Sequence, residues 1–525
     1  MKTPAIMVLG TGSHVGKSLL TAALCRLFRQ SGHRVAPFKS QNMSLNSAAT
    51  VEGLEIGRAQ ALQAQAAGLL PSVHMNPILI KPSGDATSQI VVRGKIWKNL
   101  NASDYHLHRV EQLMPVVEES YRILASEYDL LILEGAGSPA EINLKEHDIA
   151  NMRMAELAEA ACILVGDIDR GGVFASLLGT LELLDPSERA RIRGFVINKF
   201  RGDLDLLLPG IQQIEQRIDK PCLGVVPYLH DLALDEEDSV GLDARKIPAW
   251  TRDTPPARPL RIAVISVPSL ANFTDFDPLL REASVSLKLC RTPDDLLLAD
   301  IVILPGSKET VQDLKWLRAK GLDNALLRHG KRGGLIVGIC GGLQMLGCEI
   351  LDPDGIEAAG STTGLGLLAI QTLMRPEKIT VNTSGRMIAP QLFGQPVNCE
   401  IIQGYEIHVG ETSYLDGCHP FAILDPAREA GCSVEDGCVS EDQRTFGTYL
   451  HGIFDDDGFR HAFLEAARAN RQLAPAGNLS FQNERKQQEI DRLAKAVSQA
   501  LDMQAIFNWV GFTYNEALEN QASRS

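Results

Sequence analysis

The chain contains no apolar run near the roughly 20 residues that a membrane-spanning helix needs, so no span is expected. Positive charge is also in deficit. Its 51 Lys and Arg against 65 Asp and Glu leave a net charge of −14. That balance argues against a nucleic-acid partner and gives no support for binding an anionic membrane, although a basic pocket for small anions can still sit inside an acidic protein. The ten cysteines are scattered, the nearest approach to a cluster being Cys432 and Cys438, and no CxxC occurs. Metal-site spacing is therefore missing, and reduced thiols in a cytoplasmic setting are the default expectation. Strand-like sequence begins as early as Ala5, which is expected to leave no room for a signal peptide. Internal repeats and low-complexity segments are absent as well. What remains is ordinary for a globular protein, with 45% hydrophobic and 22% charged residues, and 525 residues are natural for two to four domains.

The most informative stretch is Gly10-Thr11-Gly12-Ser13-His14-Val15-Gly16-Lys17-Ser18. An apolar run, Ala5 to Leu9, precedes it and reads as a buried strand. Leu20, Ala23, Leu24, Leu27 and Phe28 follow on one helical face. Strand, glycine-rich turn, Gly-Lys-Ser and helix make a phosphate cradle. Backbone N–H groups from Gly12 to Gly16 hold phosphate oxygens, Lys17 adds positive charge, and the Ser18 hydroxyl is placed to ligate Mg2+. The loop is one residue longer between its outer and inner glycines than the usual pattern.

Strands and helices then alternate, the signature of a parallel sheet covered on both faces. Val35 to Phe38 is a second strand, running into the polar cluster from Lys39 to Ser47, which includes Gln41 and Asn42. Past a strand's C-terminal end, such a cluster is either a ligand contact or a solvated loop. Lys81 and Asp85 are candidates for phosphate and metal, and equally for surface charges. Leu130 to Leu133 is an apolar strand ending in Glu134, a carboxylate placed to share a metal with Ser18. A further strand from Ala161 ends at Asp167, followed by Asp169 and Arg170, candidates for gripping a substrate carboxylate or phosphate. Asn198 and Lys199 close the next strand, where a nucleotide base could be held. The acidic run Asp235 to Asp238 reads as a solvated face.

Proline and threonine concentrate between 248 and 259, which predicts a linker between a first domain at 1–247 and a second at 260–470. The second half repeats the strand–helix alternation. Gly334 to Ile339 is a buried strand meeting Cys340, with Gly341 and Gly342 immediately after and a helix beginning. This is the elbow that presents a nucleophile on a sharp turn, with the helix N-terminus favouring a thiolate and backbone N–H groups around Gly341 open to an oxyanion. A thiolate needs a base. His451 at the end of Thr445 to Leu450 and His408 in Gly404 to Gly410 both qualify, and spacing alone does not choose between them. The segment 471–525 contains an amphipathic helix with Ile490, Leu493, Ala494, Val497 and Leu501 on one face, expected to pack on the second domain.

Together these residues resemble known families. Pro305-Gly306-Ser307, Gly338-Ile339-Cys340-Gly341-Gly342-Leu343-Gln344 and Tyr449-Leu450-His451-Gly452 resemble the class I, triad-type glutamine amidotransferases. The first half is similar to the dethiobiotin synthetase-like ATPases, which share the longer phosphate loop. The combination, with Lys39 to Ser44, Asp167 to Phe174 and Gly404 to His408, looks like the cobyric acid synthase family and covers essentially the whole chain. The resemblance implies an α/β fold of two doubly wound, mostly parallel-sheet domains. It implies ATP- and glutamine-dependent amidation of adenosylcobyrinic acid a,c-diamide, with ATP and Mg2+ held by the first domain. It selects His451 as the base, with Gly306 and Gly341 at the oxyanion. A homodimer is left open. Many triad enzymes carry a glutamate two residues after the histidine; here Ile453 stands there, so the group orienting His451 is unassigned. The nearest alternatives are an a,c-diamide synthase and a P-loop regulatory ATPase; intact Cys340 and His451 weigh against the latter.

Overall fold

The structure, a computed structural model, describes residues 2–83, 87–101, 104–105, 109–230, 232–234, 250, 258–397, 399–425, 433–477 and 479–514. Asp85, the acidic run 235–238 and most of the expected linker lie outside these residues.

The first unit is a six-stranded sheet. In chain order its main elements are β1 (Ala5–Gly10), α1 (Lys17–Gln30), β2 (Val35–Phe38), α2 (Arg58–Ala67), β3 (Leu130–Glu134), β4 (Ala161–Asp167), β5 (Ile192–Phe200) and β6 (Cys222–Pro227). The strand order is β6-β5-β4-β1-β3-β2, and every pairing is parallel. Residues of β1 and β3 are buried throughout, as strands covered on both faces must be. The order reverses beside β1, so the loop leaving β1 opens at the switch point where such sheets bind ligands. A smaller four-stranded sheet (Gln41–Met43, Ile78–Pro82, Thr87–Val92, Lys95–Asn101) is appended.

The second unit contains β7 (Leu260–Ile265), β8 (Val285–Cys290), β9 (Ile301–Leu304), β10 (Leu335–Ile339), helix α3 (Gly341–Leu346), two long strands β11 (Ile370–Met387) and β12 (Ile401–Tyr414), β13 (Cys438–Val439) and β14 (Thr445–Thr448). The sheet order is β8-β7-β9-β10-β14-β13, parallel except at the β13 edge. The long strands form an antiparallel pair in a separate sheet. Both units are thus α/β with doubly wound, mostly parallel sheets. Among the described residues no helix is long and apolar enough to cross a membrane.

Two expectations need correction. The amphipathic helix, α4 (Gln482–Ala500), packs on the first unit rather than on the second. Its apolar face (Ile490, Leu493, Ala494, Val497) shares a core with Leu24 and Phe28 of α1. Phe507 stacks on Phe28 with ring centroids 4.0 Å apart, and Asp491 pairs with Arg26 at 3.0 Å. Chain adjacency favours the nearer domain in a sequence reading, but an apolar stripe does not specify its acceptor. The described thiols are also not all free, because Cys418 and Cys438 are bridged.

The two units meet through buried polar contacts. Glu55, 1% exposed, takes Lys81 of its own unit at 2.6 Å and Lys378 of β11 from across the interface. Asn382 of β11 donates to the carbonyls of Ala49 and Thr50 at 3.0 and 2.9 Å. Arg58, at the start of α2, reaches Asp455 at 3.2 Å.

Candidate active sites

Two centres form at the C-terminal edges of the two parallel sheets. At the first, α1 begins directly after Gly16, whose φ of 102° suits only glycine, and an added Cβ would lie 2.1 Å from Asn198 Nδ2. Asn198 in turn donates to the Val15 carbonyl at 2.8 Å, so the end of β5 braces the loop. Lys17 Nζ donates to the carbonyls of Gly12 and Gly137 at 2.8 and 2.9 Å, spanning the mouth of the cradle. An added Cβ at Gly12 would meet nothing within 4 Å, so that side stays open.

Register places Glu134 of β3 beside Val8 of β1, and from there it accepts the Ser18 hydroxyl at 2.8 Å. These are two hard oxygen donors at the start of a helix, and they suit Mg2+, whose remaining positions phosphate and water would fill. Lys39 and Gln63 also bind Glu134, at 2.9 and 2.6 Å. Sequence reading did not assign either role. For Lys39 the signal was its place after a strand; for Gln63, buried within an Ala- and Gln-rich helix, there was none.

Asp167 lies beside the loop but is engaged. It accepts Lys199 at 2.9 Å and the Asp169 N–H at 2.9 Å, and Lys199 also donates to the His14 carbonyl at 2.6 Å. Asp169 pairs with Arg201 at 2.9 Å, and Arg170 sits 4.0 Å from Asp167. Gln41 and Asn42 are buried, Gln41 accepting from Tyr105 at 2.6 Å and Asn42 donating to Gln60 at 3.0 Å.

At the second centre β10 delivers Cys340 into a strained conformation, φ 51° and ψ −108°, before α3 begins. Such strain is how an elbow aims its nucleophile out of a sheet. The glycines are forced: a Cβ on Gly341 would come 2.9 Å from Ser307 N, and one on Gly342 2.1 Å from the Leu304 carbonyl. Gly306, at the end of β9, has His451 Cε1 within 2.9 Å of where its Cβ would be.

His451, 1% exposed, follows β14. Its Nδ1 donates to Asp275 Oδ2 at 2.6 Å, and the Gly452 N–H donates to Asp275 Oδ1 at 2.9 Å. The Cys340 Sγ, 3.7 Å from the Ile407 carbonyl, interacts with the ring electrostatically. Burial works against a charged ring, but the Asp275 carboxylate and Cys340 outweigh it and push the His451 pKa up to about 10. The ring stacks on Tyr405, centroids 5.4 Å apart. The rival His408 instead stacks on Tyr449 at 3.8 Å and meets Glu406 at 3.2 Å. Cys340, His451 and Asp275 are brought together, an arrangement able to run acyl transfer. Asp275 lies after β7, 176 residues from His451 in sequence, and no local spacing marks it.

Residues 261–459 match the CobB/CobQ-like glutamine amidotransferase domain family, and residues 6–240 match the CobQ/CobB/MinD/ParA nucleotide binding domain family. The cobyric acid synthase of Thermoanaerobacter sp. (strain X514) is 47% identical over 505 residues, covering 96% of this chain and 98% of that protein. That of Moorella thermoacetica is 48% identical over 501 residues, covering 95% and 96%. That of Salmonella dublin is 47% identical over 511 residues, covering 96% and 98%. The chain belongs to the cobyric acid synthase family, the amido-ligases of cobalamin biosynthesis.

Proposed function

We propose that this chain amidates the b, d, e and g carboxylates of adenosylcobyrinic acid a,c-diamide, taking nitrogen from glutamine and energy from ATP, in the cytoplasm. Cys340 attacks the glutamine carboxamide, and the oxyanion is received by backbone N–H groups near Gly306 and Gly341. His451 protonates the departing ammonia, and water then clears the thioester as glutamate. Asp275 holds the imidazole so that Nε2 faces the thiol.

At the other centre a substrate carboxylate oxygen attacks the γ-phosphorus of ATP and ADP leaves. Ammonia then attacks the acyl carbon of the acyl phosphate. A proton is lost, phosphate departs and the amide remains. Lys17 and the loop N–H groups hold the phosphates, with Asn198 bracing the cradle. Ser18 and Glu134 would hold Mg2+, which when bound offsets phosphoryl charge. Asp167, Asp169, Arg170, Gln41 and Asn42 are the proposed substrate contacts. Ammonia is mostly protonated in bulk water and so non-nucleophilic. A sheltered passage between the two units is part of the proposal.

One observation carries the reading: the Cys340–His451–Asp275 set shares a chain with a phosphate cradle that bears its own acid, Glu134. Cys340→Ala should abolish amidation from glutamine and leave amidation from ammonium salts. Loss of both would sink the division into two sites. Lys17→Ala should impair amidation from either nitrogen source.

A further inference from the structure

Asp275 is a short-range partner of His451, and its turn is seated in its own unit by the Ala271 N–H on the Gly306 carbonyl at 3.0 Å and by Phe276 in the core, but it is also held from outside that unit. It lies on a tight turn, Phe273–Phe276, entered through Asn272 in a left-handed conformation with φ 51°. Within the turn the Asp275 N–H donates to the Asn272 carbonyl at 3.0 Å. The outer hold comes from the nucleotide-binding unit. The Phe273 N–H donates to Asn46 Oδ1 at 3.1 Å, and Asn272 Oδ1 accepts the Ser47 N–H at 2.9 Å. Two amide side chains thus cross in opposite directions between the units. Both are buried, Asn46 at 3% exposure and Asn272 at 2%, so neither contact is diluted by water.

The clasp continues toward the phosphate loop. The Asn46 carbonyl accepts the backbone N–H of Arg58, first residue of α2, at 3.1 Å. The Arg58 guanidinium reaches Asp455 and lies 5.7 Å from the ring of Tyr405, which stacks on His451. Five residues along the same helix, Gln63 donates to Glu134 Oε2 at 2.6 Å and to the Ser18 carbonyl at 3.3 Å. One helix end therefore borders the base, while its middle grips the acid and serine of the phosphate loop. Charge arriving at Ser18 and Glu134 must compete with Gln63 for the same carboxylate, and a rigid helix passes such a displacement to its other contacts.

Building on the nitrogen-transfer reading, we propose that Asn46 is a positioning residue for glutamine hydrolysis, supplied by the nucleotide-binding unit. Through Asn46 and α2 the His451–Asp275 pair responds to nucleotide bound at Ser18 and Glu134. Asn46 touches no reacting atom; it acts through Asp275.

The test uses full-length Asn46→Ala, Asn272→Ala and the double variant. Each single variant should lower the glutamine-dependent kcat about tenfold with the KM for glutamine unchanged, and the double should be no worse than the poorer single. The alkaline limb of the glutaminase pH profile should move down, because a displaced carboxylate no longer holds the proton on His451. A non-hydrolysable ATP analogue with Mg2+ should change the wild-type glutaminase rate and leave that of Asn46→Ala unaltered. Amidation driven by ammonium should persist in all three, which also shows that they fold. Parallel loss of ammonium-driven amidation, additive single effects, unchanged glutamine turnover, or a wild-type rate indifferent to nucleotide would each overturn the proposal. Cys340→Ala separates the two levels. If it fails its own test, the nitrogen-transfer reading falls; if it passes while the Asn46 variants do not, only this inference falls.

Discussion

His451 Nδ1 and Asp275 Oδ2 lie 2.6 Å apart, with the Gly452 N–H on the other oxygen of the same carboxylate at 2.9 Å. The pair fixes the ring's tautomer and stabilises its charged form. Asp275→Asn should lower the glutamine-dependent kcat by about 10²–10⁴-fold with a far smaller effect on the KM for glutamine. The sign of the pH effect follows from the raised pKa. With Asp275 present the His451 proton is held up to about pH 10; without the carboxylate it leaves sooner, so the alkaline limb of glutaminase activity shifts to lower pH. The same linkage governs stability. The pair's contribution is fully present below the ordinary value of 6.5 and is lost as pH rises through about 10, so the stability gap between wild type and Asp275→Asn should close over that range.

Much of this centre was legible in sequence, and the reason is local. Cys340, Gly341 and Gly342 advertise an elbow because a nucleophile on a sharp turn needs small neighbours within a few residues. Lys17 and Ser18 are legible for the same reason. Asp275 was not, because it meets His451 only after β7 and β14 are brought into one sheet, and an acid after a strand has many ordinary uses. The tail helix shows the same boundary from another side. Its apolar stripe predicted a buried face, but whether that face lies on α1 or on the second unit depends on Phe28 and Phe507 meeting across the fold.

Gly16 is irreplaceable on two independent grounds, a φ of 102° and the 2.1 Å approach of Asn198 Nδ2 to any added Cβ. Gly16→Ala should weaken ATP binding by about tenfold or more, because the helix N-terminus and loop amides no longer converge on phosphate. Isothermal titration with a non-hydrolysable ATP analogue checks this. Glutamine hydrolysis at Cys340 measured without nucleotide should survive.

Glu134 gathers Ser18, Lys39 and Gln63. Glu134→Gln should cut amidation by about 10²-fold from both glutamine and ammonium, since it removes the anionic donor proposed to share Mg2+ with Ser18. A fall confined to glutamine would contradict the assignment. Raising the Mg2+ concentration should recover part of the loss.

Glu55 anchors the interface. Burial pushes its carboxyl up, but Lys378 and Lys81 outweigh it and hold it well below the usual range. Glu55→Gln leaves two buried ammonium groups without their carboxylate and should cost about 3 kcal/mol in chemical denaturation. Because the folded pKa is depressed, the wild-type advantage is present above the ordinary value of 4.5 and shrinks as pH falls below it.

The most direct test of the account is mass spectrometry of the corrinoid product, made by wild type and by Cys340→Ala with ATP and either glutamine or an ammonium salt. Each amidation exchanges a carboxyl OH for NH2, so the mass counts the conversions. Wild type should give the fully amidated product from both nitrogen sources, and Cys340→Ala only from ammonium. A Cys340→Ala enzyme that still used glutamine, or that used neither source, would contradict it.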